Sequence, residues 1–512
     1  MLLDWTLALA PLVLIVVLMV AFRWGAARAG PAGWLAVVAL ATLRFGAGAE
    51  ILAWSQLRAL LLSIDVLLIV WGAFLLYRVA DEAGAIRTLG QALPHLTSDR
   101  GMQALLIAWA FASFLQGVGG FGVPVVVTAP ILIGLGFPPL AAVLAPAVGH
   151  SWSVTYGSLA SSFQALIAAT GLPGEAMAAD AALLLALAGL GAGLLVAQIA
   201  CGWRGVLRLA PALLLMAAVM GATQYALATR GVWTIAGFGA GMAGLVVGLA
   251  LARVYRGSDA ASGARPPLAQ VSIALSGYAV LVGLTLLVQL TPLRGVLDRA
   301  ALQVAFPALA TSAGFLTPAD AGPRLALLRH AGTILAAASL CAYLIYRRAG
   351  RYTAGAARRI LRATARGVAP SSLAIASMVS MSVVMSYAGM TDLLAHGLAR
   401  SAGAFFPLAA PWIGALGAFI TGSNTNSNLL FALLQRRTAE LLGVSVTWIL
   451  AAQTAGGAVG SVVSPTKVVV GVGSAGQAVE EHTVMRHLLL YTGALIAGLG
   501  LATAAGLALG AR

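Results

Sequence analysis

Lysine occurs once in this 512-residue chain, cysteine twice, and Asp and Glu together 15 times; charged residues of every kind make up 9%. Each scarcity closes off a class of function. The two cysteines, Cys201 and Cys341, lie in separate apolar blocks without ligand or redox spacing, so neither a disulfide framework nor a metal site is expected. No cofactor is implied. Bases outnumber acids, giving a formal charge of +15, yet they sit in short loops without interleaved aromatics, which argues against nucleic acid as a partner. The Ser, Thr and Tyr hydroxyls lack the base and orienting group that nucleophilic catalysis requires, so the chain is not read as an enzyme.

What abounds is apolar length. Mean hydropathy is +0.96, and blocks of about 18 to 22 apolar residues recur, enough to cross a hydrocarbon core of about 30 Å. The expectation is an all-α polytopic membrane protein of about 12–14 transmembrane helices. The first block, Leu7 to Phe22, has no basic residue ahead of it and reads as an uncleaved span. Arg23 and Arg28; Arg78, Arg87 and Arg100; Arg253, Arg256 and Arg265; and seven arginines from Arg347 to Arg366 mark four basic loops. The positive-inside rule assigns all four to the cytoplasm and the N-terminus to the outside. The last is read as a topogenic loop, with an amphipathic surface helix as its alternative. Apolar stretches near 180–199, 206–226 and 298–315 read as spans. Those near 123–135, 139–149 and 429–435 are too short to cross alone and read as half-helices or re-entrant hairpins.

An internal repeat emerges when two regions are laid together. "SFLQGVGGFGVPVVV" from Ser113 and "AFITGSNTNSNLLF" from Ala418 share Phe-x-x-Gly followed by a small-residue break. Each runs on into a second span that also breaks, "VGHSWSVTYGS" and "GGAVGSVVSPTKV". Paired interruptions in two halves point to a transporter site near the bilayer midplane. The chain accordingly divides into N-terminal spans (1–100), a first repeat core (101–252), linking spans with the basic loop (253–368) and a second repeat core (369–512), the two repeats being of the inverted type.

The breaks carry the chemistry. Irregular backbone at membrane depth is tolerated only against protein or a wet cavity. Ser423, Asn424, Thr425 and Asn426 precede a helix start expected at about Leu429 and offer free N–H groups, a positive dipole end and polar side chains, a setting that suits a carboxylate. One capping residue would serve a plain helix; the run has six polar residues. Ser464, Pro465, Thr466 and Lys467 form the second break, where the chain keeps its one lysine against 29 arginines. An ammonium at that depth is a functional candidate, although a lysine snorkelling from a helix end would look the same. In the first half Gln116, Gly119 and Gly120 form a tip where backbone can approach a ligand. His150, Ser151, Ser153 and Tyr156 line the break that follows, with His150 a substrate ligand, a proton carrier or a packed structural histidine. Asp65 in "LLLSIDVLLIVWG" is an intramembrane acid whose natural partner is Arg44; the pair is either structural or involved in ion coupling, with His150 as a further coupling candidate.

At these motifs the chain resembles the lactate permease family of bacterial carboxylate transporters. Most of the chain takes part, with "LLLSIDVLLIVWGAFLLYRVADEAGAI", "FLQGVGGFGVPVVVTAPILIGLGFPPL", "FITGSNTNSNLLFALLQ" and "AAQTAGGAVGSVVSPTKV" in the family's order. The resemblance implies a symporter that takes up lactate or a related 2-hydroxy monocarboxylate with protons, in a bacterial-type inner membrane. It also implies distant kinship with the ion transporter superfamily, whose tips hold substrate and coupling ion with Ser-Asn-Thr, spelled here by Ser423, Asn424 and Thr425. The family's pattern has an acid where this chain has Gln116, Gly-Ser-Asp-Thr where it has Asn424, and an Asn-Thr-Ala-Pro run where it has "HSWSVTYG". The first two exchanges remove a titratable carboxylate, which leaves coupling to His150, Asp65 or Lys467, or to sodium.

The partners expected are a small organic anion, H+ or Na+, and the lipid bilayer, with a homo-oligomer left open. A differently specific carboxylate or sulfonate transporter is the near alternative. An anion channel is the distant one, disfavoured because the two half-sites are chemically unlike rather than a symmetric ring.

Overall fold

The structure, a computed structural model, describes residues 2–92, 97–120, 122–255, 267–288, 296–297, 299–322, 324–475 and 479–510. Arg256 and Arg265 of the third basic loop lie outside them. Among the described residues eleven helical stretches are long and apolar enough to cross a membrane, which makes this a polytopic all-α membrane protein. One of them, Gly174–Thr229, is two helices joined at Gly202, whose φ of +67° no helix accommodates. This kink separates the two spans expected there.

Helix ends follow local chemistry. Asp99 accepts from the Met102 N–H and caps Arg100–Val118, a helix that relaxes into a π turn over Leu105–Phe111. Gly422, at φ +72°, ends Phe406–Thr421, and Ser423 then caps Asn424–Leu442 by accepting from the Asn426 N–H. Small residues let helices approach closely, as is usual where lipid removes the hydrophobic drive between them. A Cβ on Gly456 would lie 1.9 Å from the Pro411 carbonyl oxygen, and one on Gly414 2.0 Å from that of Gln453, so Phe406–Thr421 and Val446–Gly460 meet almost backbone to backbone.

Contacts sort the loops onto two faces. On one, Arg359 pairs with Glu82, Tyr352 donates to the Val79 carbonyl, Thr97 to that of Tyr255, and Arg208 pairs with Asp99. These are described parts of three of the four basic loops, so this is the face that the positive-inside rule assigns to the cytoplasm. On the other, Arg44 pairs with Asp4, Ser312 donates to the Gly46 carbonyl, and Arg58 pairs with Asp320.

Three expected elements differ. The helix expected near 429–435 is the 19-residue Asn424–Leu442, so Asn424, Thr425 and Asn426 form its first turn instead of preceding it, because the Ser423 side chain caps the chain there. The stretch near 298–315 forms no span: Ala301–Gln303 pairs with Arg324–Ala326 and Leu309–Ala310 with Leu316–Thr317. Pro307 and the Ser312–Gly314 turn interrupt its apolar run and favour short hairpins over a helix. The arginine-rich loop is largely helix, because Ala356–Tyr387 runs unbroken from the basic segment into the span.

Candidate functional site

The interrupted helices have the same succession in both halves. Pro139–Gly149 passes through a 3-10 turn, Ser151–Val154, and a left-handed run at Ser158, Leu159 and Ala160 into Ser161–Thr170. Val446–Gly460 passes through Ser461–Val463 into Pro465–Ser474. Each half also has a pair of helices meeting at a glycine tip. In the first, Arg100 donates to the Gly136 carbonyl at 2.9 Å, so Arg100–Val118 and Val123–Gly134 meet again at their far ends, on the cytoplasmic face.

Tips and breaks alternate in a closed ring. The Gln116 and Gly117 carbonyls of the first tip accept from the Ser158 and Leu159 N–H groups of the first break. On its other side that break meets the second tip: Asn424 Nδ2 donates to Thr155 Oγ1 at 3.1 Å, and Thr425 and Ser162 share a hydroxyl contact at 3.1 Å. Gly422 faces the Ser464 and Thr466 hydroxyls of the second break, and Gly122 faces Val470, which closes the circuit.

The centre of this ring is a buried hydroxyl–amide network. Thr454 Oγ1 receives Asn424 Nδ2 at 3.3 Å and Asn428 Nδ2 at 2.9 Å and lies 3.1 Å from Thr155 Oγ1, which itself donates to the Thr454 carbonyl. Both Asn424 and Asn428 thereby spend their N–H groups inside the protein. Their Oδ1 atoms, with those of Asn426 and Gln116 Oε1, are buried and meet no partner among the described residues. Buried polar atoms are normally satisfied, so such a concentration marks a place built for something else.

Two cavities approach the second tip from opposite faces, the first lined by its residues and the second ending one helical turn beyond them. One, of about 240 Å³, is lined by Ala26 and Pro370 near the cytoplasmic face and by Thr421, Ser423, Thr425, Asn426 and Thr466. The other, of about 290 Å³, is lined by Arg58, Asp320, Tyr387 and Arg436 and ends at Leu429. Thr425 and Ile375 line the first, Leu429 and Val379 the second, and Val70 and Leu62 lie on the two sides along Ala49–Glu82. The wall between them is therefore about 6 Å thick along two helices and about 12 Å along the third. Buried Val66 and the Ser162–Thr425 contact lie within it.

The remaining candidates separate into groups. Lys467 donates to Ser461 Oγ at 3.0 Å and shares with His150 a narrow space of about 10 Å³, room for about one water, on the other side of the second break from the tip cavity. His150 Nδ1 lies 2.5 Å from the Pro146 carbonyl and its Nε2 meets no partner among the described residues. Ser464 and Thr466 share a hydroxyl contact at 2.9 Å. Ser151 and Ser153 donate to the carbonyls of Val148 and His150 and stiffen the turn. Tyr156 donates to the Ala178 carbonyl and packs on Phe163, away from both cavities. Gly119 lies against the Tyr77 ring, and Gly120, at φ +59°, against Ser158, so the first tip braces the first break.

The expected Arg44–Asp65 pair does not form. Arg44 stands at the end of its helix and takes Asp4 instead, with Nη2 2.5 Å from Oδ1, whereas Asp65 lies several turns into the next helix. Asp65 accepts from Gln164 Nε2 at 2.6 Å and pairs with His330 Nε2 at 2.9 Å. His330 Nδ1 accepts from the Gly332 N–H, which directs Nε2 to the carboxylate. Sequence reasoning missed His330, Thr454 and Ser162. A histidine just ahead of an apolar run and a lone "QT" inside one were the available signals, but neither says which distant residue it meets.

A multi-spanning membrane protein whose polar helix breaks are gathered around one buried locus, approached from both faces, has the construction of a membrane transport protein. This chain belongs to the L-lactate permease family, whose sequence model matches residues 4–509. It is 28% identical over 466 residues to the L-lactate permease of Bacillus subtilis, covering 83% of this chain and 81% of that one. It is 26% identical over 459 residues to the glycolate permease GlcA of Escherichia coli, with the same shares covered. Among solved structures it is similar to the YdaH transporter of Alcanivorax borkumensis, at 17% identity and a TM-score of 0.48, covering 86% of this chain and 85% of that one.

Proposed function

We propose that this protein is a secondary active symporter that moves a small organic anion, lactate or a related 2-hydroxy monocarboxylate, with protons across a bacterial inner membrane. The observation that carries the reading is the pair of cavities that approach the second tip from opposite faces with a wall as thin as one helical turn between them. The relatives named for lactate and glycolate support the substrate class. The two tip-and-break units are then inverted repeats, and alternating access is the movement of one against the other.

At the tip, Ser423, Thr425 and Thr466 are placed to donate hydroxyl hydrogens to a carboxylate, and the helix start adds its dipole. Asn424 shapes the pocket from behind through Thr155 and Thr454. Lys467, at the start of Pro465–Ser474 on the far side of the second break, supplies the positive charge, and His150 shapes the narrow space beside it. Asp65, paired with His330 and Gln164, is the acid for proton coupling. A second reading, coupling to sodium, is favoured by the amide oxygens of Asn424, Asn426 and Asn428, which meet no partner among the described residues, since hard cations take oxygen ligands.

The test is counterflow in proteoliposomes with a panel of labelled carboxylates, under separately imposed proton and sodium gradients. Accumulation of L-lactate or glycolate driven by the proton gradient is expected. Uptake driven by sodium alone would replace the coupling assignment, and exchange of none of the acids would end the proposal.

A further inference from the structure

The outer cavity gathers three guanidiniums, those of Arg58, Arg436 and Arg437. Arg436 and Arg437 are held at its rim by Glu440 and Asp392, from the helices that form that rim. Arg58 is held differently. Its partner, Asp320, comes from the β-structured segment outside the helices and places Oδ2 2.6 Å from Arg58 Nη1. The backbone of Asp320 is pinned by reciprocal hydrogen bonds to Phe306, at 2.8 and 3.1 Å. The Phe306 ring in turn lies 5.2 Å from the Arg58 guanidinium carbon. Asp320 Oδ1 accepts from the Gly322 N–H, and the Tyr387 hydroxyl accepts from Arg58 at 3.3 Å. A polypeptide cap thus presents one carboxylate to one arginine, in a cavity that also offers the Ser382 and Ser386 hydroxyls.

We infer that Arg58, with Tyr387 and the two serines, is an outer capture site for a small monocarboxylate, and that Asp320 is a built-in competitor which the incoming carboxylate displaces. The inference rests on the transport reading above. Charge matching favours a singly charged ligand. With Asp320 in place the three guanidiniums face Asp320, Asp392 and Glu440 and the cavity is neutral; with Asp320 withdrawn one positive charge remains, which a monocarboxylate neutralises and a dicarboxylate overshoots. Geometry supports onward passage, since the cavity ends at Leu429, one helical turn from Thr425 at the tip.

The full-length protein in proteoliposomes tests this, with KM for L-lactate and glycolate uptake read for Asp320→Asn and Arg58→Gln. Removing the competing charge of a partly exposed pair should lower KM by about 2- to 5-fold. Removing the guanidinium should raise KM by about 10-fold or more, and Arg58→Gln with Asp320→Asn should behave like Arg58→Gln alone. A general loss of fold raises KM or abolishes uptake but does not lower KM, so Asp320→Asn decides even if Arg58→Gln fails to fold. An unchanged or raised KM in Asp320→Asn, with the unmodified protein transporting, overturns the capture site. Absence of carboxylate uptake by the unmodified protein overturns the transport reading instead.

Discussion

Replacing Thr454 by valine keeps the side-chain shape and removes one oxygen from the centre of the ring. That oxygen serves three groups: it accepts from Asn424 and Asn428 and meets Thr155. The proton arrangement is fixed by elimination. Thr155 gives its hydrogen to the Thr454 carbonyl, so Thr454 gives its own to Thr155 and uses its lone pairs for the two amides. Valine leaves Asn428 with the Ser162 carbonyl and Asn424 with Thr155 as sole amide acceptors. At about 1 kcal/mol net per neutral hydrogen bond, three lost bonds in a fully buried site amount to about 3 kcal/mol, or about 100-fold in the equilibrium that holds the second tip against the first break. L-lactate counterflow and the thermal midpoint in detergent should be measured for Thr454→Val and Thr454→Ser. Valine should lose most transport and lower the midpoint, while serine, which keeps the oxygen, should retain most of both. A valine variant equal to the unmodified protein in both measurements would refute the network as the device that seats the tip.

The other predictions probe separate parts. Gly456→Ala places a methyl group 1.9 Å from the Pro411 carbonyl oxygen, which backbone can relieve only by parting two helices, so folded protein recovered by size exclusion should fall sharply; normal recovery would contradict the tight packing. Lys467→Arg should fail in transport nearly as badly as Lys467→Ala, because a guanidinium does not fit the space shared with His150, and uptake kinetics on both variants check it. Asp65→Asn should keep counterflow but lose most accumulation driven by a proton gradient, and accumulation that persists unchanged would remove Asp65 from the coupling path.

The legible parts of the sequence were those where composition departs from its surroundings. "TGSNTNSN" and "SPTKV" stand out as polar breaks in apolar runs, and both are found in the ring. What the sequence leaves open is direction. Lys467 and Thr466 are neighbours in the chain, yet the start of their helix turns them to opposite sides, one toward His150 and the other toward the tip cavity. Arg44 and Asp65 seem natural partners when spans are drawn side by side, but register along the helices sends them to different acids and bases. The arginines of the outer cavity were invisible for a related reason. Arg58, Arg436 and Asp320 belong to three distant segments, and only the folding of the β segment over the helix ends assembles them.

The thin wall between the two cavities has an electrical consequence. Water-filled cavities conduct far better than hydrocarbon, so a membrane potential falls mainly across whatever insulating layer remains between them. Spread over about 30 Å of hydrocarbon the field is modest; confined to the single turn between Thr425 and Leu429, about 6 Å, it is about five times steeper. A charge that shifts by one helical turn at that level does nearly the whole electrical work of crossing the membrane, about 2.3 kcal/mol for each 100 mV. A carboxylate that passes the neutral second tip therefore does nearly all of that work within about one helical turn.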